Sequence, residues 1–115
     1  DRLVPLLHRH LQHNRPVALS DGTLVRDYLE VTQAAQYLVD ITLSDFEGAA
    51  NLCSGIGVSI KALALAIANG YGYGKKDLLQ FGARPNTPGE VPHIVGQPHP
   101  YCHHAVSSRI FLNLP

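Results

Sequence analysis

Leu3, Leu7 and Leu11 recur at helical spacing with Leu6 beside them, which predicts an amphipathic helix over residues 2–14. The apolar run Val17-Ala18-Leu19 ends in the turn signal Asp21-Gly22, so a short strand is expected over residues 17–20. Residues 24–29 read as extended. Thr32 stands where a helix N-cap belongs, and Ala34, Ala35, Leu38, Val39, Ile41 and Thr42 predict a helix over residues 33–44, ending before Gly48. Residues 49–53 form another apolar, strand-like run. Ser59 caps a further helix with inward positions Ile60, Leu63, Ala64, Ile67 and Ala68, and the glycine-tyrosine stretch 70–74 ends it. Residues 78–81 read as a strand. Beyond Ala83, prolines at 85, 88, 92, 98 and 100 disfavour helix and leave one strand at residues 93–95. Helices alternating with short strands predict an α+β (mixed α/β) fold, a small single domain over residues 1–95 followed by a divergent Pro/His-rich tail at 96–115.

A length of 115 residues suffices for one hydrophobic core. Nine basic and nine acidic side chains cancel, which argues against a nucleic-acid partner. No apolar run reaches the roughly 18 residues of a membrane span, and no secretory signal is recognisable, so no membrane partner is expected. Two cysteines, Cys53 and Cys102, make no disulfide framework, and a reducing cytoplasm is the expected compartment. Cys53 reads as a small buried hydrophobe on its strand. The chain contains no methionine, which reads as a fragment or as a product whose first residues are absent.

Candidate chemistry is sparse. Gly55-Ile56-Gly57-Val58-Ser59-Ile60 resembles a dinucleotide fingerprint in context, but Ile60 replaces its third glycine and only Asp77 lies near the acidic position. Gly70-Tyr71-Gly72-Tyr73-Gly74-Lys75-Lys76 lacks both the glycine spacing of a phosphate loop and the hydroxyl residue after its lysine. Tyr71 and Lys75 have the Tyr-x-x-x-Lys spacing of a general base and its partner, yet they sit in a glycine loop where neither is held rigidly. His8, His10 and His13 read as solvated. In the tail, His99, Cys102, His103 and His104 have metal-ligand chemistry, but their spacing forms no pair of ligand pairs, and no metal site is expected. Arg26 and Arg84 are the residues suited to an anion, because a guanidinium donates two parallel charge-assisted hydrogen bonds to a phosphate. The bland readings are an Arg26–Asp27 structural ion pair and a solvent-exposed Arg84.

The segments occur in a telling order: Val17-Ala18-Leu19, Ser20-Asp21-Gly22, Arg26-Asp27-Tyr28-Leu29-Glu30-Val31, a helix, Asn51-Leu52-Cys53-Ser54-Gly55, Ser59-Ile60-Lys61 and Arg84-Pro85. That order resembles the C-terminal, substrate-binding part of the extended short-chain dehydrogenase/reductases, the NAD-dependent nucleotide-sugar epimerases and dehydratases. The resemblance runs from about residue 3 to residue 95. It implies that the backbone of Val17, Ala18 and Leu19 meets the edge of a nucleotide base, and that Arg26 and Arg84 hold its diphosphate. It also implies that the NAD(P)-binding Rossmann half and its Tyr-x-x-x-Lys pair are outside this sequence, leaving no cofactor and no catalytic residue in the chain. Glu30 departs from the family's His or Tyr, and Gln33 from its Asp. The expected function is a detached or remnant nucleotide-sugar-binding domain, with a self-associating structural module as the alternative. The expected partners are a nucleotide sugar and either a second copy or a separate Rossmann domain.

Overall fold

Two helices against a pair of parallel strands build the core, and the computed structural model describes residues 2–100 of the chain. Helix α1 (Leu3–Gln12) presents Leu7 and Leu11, and α3 (Ile60–Gly70) presents Leu63, Ala64, Ile67 and Ala68. Between them lie Val17 and Leu19 from β1 (Val17–Ala18) and its extension, and Leu79 from β4 (Leu79–Gln80), forming one buried cluster. Strands β1 and β4 pair in parallel, with Val17 opposite Leu79 and Ala18 opposite Gln80. Ser59 starts α3 by accepting a hydrogen bond from Ala62 N, the capping geometry that a helix needs for its orphan donors.

A second sheet carries β3 (Gly57–Ser59), β2 (Val25–Asp27) and β5 (His93–Ile94) in that order. Strand β2 is antiparallel to β3 and parallel to β5. Among the described residues the architecture is therefore α+β with three α-helices and short strands in two sheets. Helix α2 (Val31–Thr42) buries only Tyr37 and leaves Leu38 and Val39 exposed, with Leu43 exposed at its C-cap.

Four sequence expectations change. The expected strand at residues 49–53 does not form; the chain there is a loop whose polar groups face other segments, with Asn51 Nδ2 donating to Gln97 O and Asn51 O accepting from His99 N. The strand lies instead at β3, inside the glycine motif. Gly57 is required there, because a Cβ would come within 2.8 Å of Val25 Cγ1 across the ladder. Helix α2 is capped by Glu30, which accepts from Gln33 N at 3.0 Å, and not by Thr32, which lies within it. Cys53 is half-buried in the loop and not on a strand.

Candidate functional site

The turn after β1 is built by Asp21. Its carboxylate accepts from Thr23 N and Thr23 Oγ1 at 3.0 and 2.8 Å, and from Asn86 Nδ2 at 2.6 Å, while Asp21 N donates to Asn86 Oδ1. The Thr23 amide, the Asn86 amide and the Thr23 hydroxyl, in that order, hold this carboxyl below its ordinary range. Gly22 adopts φ +77°, and its carbonyl receives Lys61 N at 2.9 Å, which seats the turn on the start of α3. The turn thereby fixes where β1 ends and where the later Arg84-Pro85 segment docks.

Those two segments form the walls of a cleft of ≈ 240 Å³. Leu19 N donates to Gln80 O, Arg84 N donates to Leu19 O, and Gly82 N donates to Ser20 O, all at 3.0 Å. Parallel pairing directs the peptide groups of alternate residues to the same side, so Val17 and Leu19 face β4 while the Ala18 N–H and C=O face the other edge. Ala18, Leu19 and Arg84 line the cleft together with apolar Leu3, Leu6, Leu24 and Ile60, and with Asn86, Thr87 and Glu90. Val17 does not reach it, being buried in the core. Arg84 is exposed.

Arg26 meets the site indirectly. Its Nη1 donates to Val25 O at 2.8 Å and its Nη2 forms an ion pair with Glu90 Oε1 at 3.0 Å. The suggested Arg26–Asp27 ion pair is corrected: neighbours on a strand point to opposite faces, and the partner of Arg26 is a cleft residue. Burial raises the Tyr28 phenol above its usual value, and the nearby Arg26 charge opposes that rise. Glu90 is the functional candidate that sequence reasoning missed; its proximity to Arg26 spans 64 positions and left no local signal.

Asp27 has a different task. Its Oδ1 accepts from Ser54 N at 2.9 Å and Ser54 Oγ at 2.5 Å, and its Oδ2 accepts from Gly55 N at 2.9 Å and Gly96 N at 3.2 Å. Burial raises this carboxyl, but the Ser54, Gly55 and Gly96 donors together outweigh it and hold the group below its ordinary value.

The glycine segment at 55–60 does not fit a dinucleotide phosphate. The first amides of α3 are already engaged, Ile60 N with Leu24 O, Lys61 N with Gly22 O and Ala62 N with Ser59 Oγ. Tyr71 and Lys75 also have structural partners. Tyr71 bonds His8 Nδ1 at 2.5 Å, while Lys75 Nζ, from a 3₁₀ turn at Lys75–Leu78, donates to Leu11 O and to Asn14 Oδ1 at the end of α1. His8 is accordingly partly buried, not solvated, and burial lowers its pKa. His99 sits edge-on to Phe46, ring centres 4.3 Å apart. Cys102, His103 and His104 lie outside the described residues, and among the described residues no three metal-ligating groups converge.

By sequence the chain matches no protein-family profile and no curated protein. By structure it resembles the UDP-glucose 4-epimerase of Thermus thermophilus, solved with NAD, at a TM-score of 0.69 and 24% identity over 84% of this chain. It likewise resembles the UDP-N-acetylglucosamine 4-epimerase of Methanobrevibacter ruminantium, solved with UDP-N-acetylmuramic acid, at 0.69 and 21% over 84%. The fold is thus one found within these two 4-epimerases. The chain spans 31% and 30% of the length of those two structures.

Proposed function

We propose that this chain is the nucleotide-sugar-binding unit of an epimerase- or dehydratase-type protein and performs no chemistry alone. The observation that carries the reading is the cleft, which gathers Ala18, Leu19 and Arg84 from distant segments and has the Arg26 ion pair at Glu90. In this reading the Ala18 peptide, with one donor and one acceptor on the open edge, meets the edge of the base, and Leu19 and Val17 hold that edge in place. Leu3, Leu6, Leu24 and Ile60 supply an apolar wall, as a small-molecule site requires. Arg84 and Arg26 balance the two phosphates by charge-assisted hydrogen bonds. A nicotinamide cofactor, if the parent chemistry is retained, is held by a Rossmann domain outside these 115 residues. The sparse cysteine usage accords with a reducing, cytoplasmic setting. Among the described residues no helix is long and apolar enough to cross a membrane.

Thermal unfolding with UDP-, CDP-, GDP- and dTDP-sugars tests the proposal. A ligand at a hundred times its Kd stabilises by about 2.7 kcal/mol, which at this chain length raises Tm by roughly ten degrees or more. Arg84→Ala and Arg26→Ala should each cut that shift sharply. No shift with any of the four nucleotides, or shifts in both variants as large as in the wild type, contradicts the binding reading.

One observation favours a second reading, the self-associating module. Helix α2 exposes Val31, Leu38 and Val39, with Leu43 at its C-cap, and carries no lysine or arginine, leaving an apolar stripe on its outer side. Light scattering after size exclusion should then give a dimer that Leu38→Glu dissociates; a monomer at high micromolar concentration contradicts it.

A further inference from the structure

Three contacts tie residues 84–90 to the arm carrying β1 and β2. Arg84 N donates to Leu19 O, Asn86 pairs reciprocally with Asp21, and Glu90 Oε1 meets Arg26 Nη2 at 3.0 Å. Only the third joins two full charges at the guanidinium. Arg26 Nη1 is held by Val25 O, and Nη2 is held by Glu90, which itself lines the cleft.

We propose that Glu90 is a resident counter-ion, a latch that holds Arg26 in place of an incoming diphosphate and is displaced when the anion binds. This inference rests on the cleft being a diphosphate site. A carboxylate and a phosphate compete for the same guanidinium donors, and the two anions repel one another when close. The pair is suited to exchange: the side chains are 20% and 40% exposed, so water screens it and the anion has access. A fully buried pair would instead leave a stranded charge on opening. Displacement of Glu90 also frees residues 87–90 from Arg26, which couples anion binding to movement of that cleft wall while Asn86 stays tied to Asp21.

Calorimetric titration with inorganic pyrophosphate isolates the anion from base and sugar. Glu90→Gln removes the competing charge with little change of shape and should bind pyrophosphate about fivefold more tightly than the wild type. Glu90→Ala, which removes the acceptor altogether, should change affinity in the same direction. The gain should vanish when Arg26→Ala is added to Glu90→Gln, as coupling through one contact demands. Unchanged, weaker or undetectable pyrophosphate binding by both Glu90 variants overturns the latch, and so does a gain that persists without Arg26. A parallel titration with UDP-glucose separates the two ideas: a gain for pyrophosphate with no binding of UDP-glucose supports the latch and removes the nucleotide reading.

Discussion

Asp27 shows how a single side chain can organise a region that the local pattern does not explain. Its donors come from positions 27, 28 and 69 residues away, so no window of sequence reveals them. Its carboxyl pKa is lower folded than unfolded, so its stabilisation is fully present above the ordinary value of 3.8 and is lost as pH falls through the folded-state value. Asp27→Asn places an amide against donor groups and should cost about 2 kcal/mol at neutral pH. Denaturant midpoints measured across the acid range should show the wild type losing its advantage over that variant below 3.8; parallel curves would remove Asp27 as the cause. Arg26 and Arg84 stand out in sequence because an arginine beside a turn or a proline is a local signal; folding puts Arg84 in the cleft and Arg26 against Glu90. Glu90 was not, since its meaning depends on a partner brought near only by folding.

Elements were legible where one face is buried and a cap is local. Helices α1 and α3 follow the leucine and alanine spacing within a few residues, and Ser59 caps α3 as its position indicates. Ser59→Ala should therefore cost about 1 kcal/mol of stability, measured by denaturant unfolding; no change would mean that the cap is replaced by solvent. Helix α2 illustrates the limit. Both Thr32 and Glu30 can cap, and the choice fell to the carboxylate because Glu30 reaches Gln33 N while also receiving the Thr32 hydroxyl. The apolar run at 49–53 and strand β3 were exchanged because β3 is selected by its pairing with β2, which periodicity cannot see. With only Tyr37 buried, α2 should exchange its amides before α1 and α3 do in hydrogen exchange. Equal protection in all three helices would show that α2 is covered.

At the scale of the molecule, burial among the described residues is lopsided. The cluster of α1, β1, α3 and β4 holds nearly all the fully buried residues, whereas α2 and the three-stranded sheet contribute Tyr37 alone. Leu63→Ala should cost about 3 kcal/mol, while Leu38→Ala, at a side chain 56% exposed, should change stability by less than about 0.5 kcal/mol in a monomer. A large loss at Leu38 would reveal a covered α2. The fold class could be read from alternation of helix and strand. The cleft could not, because its walls come from α1, β1, α3 and the 84–90 segment; the family resemblance put residues 17–19 and 84 together, and of these Ala18, Leu19 and Arg84 line the cleft while Val17 does not. Titration of isotope-labelled protein with UDP-glucose, followed by amide NMR, tests the central claim most directly. Binding in this cleft predicts saturable shifts at Ala18, Leu19, Arg84 and Glu90, with none at Asn69, Gly72 and Lys76 around the second cleft beside α3. No saturable shift, or shifts confined to that second cleft, would contradict it.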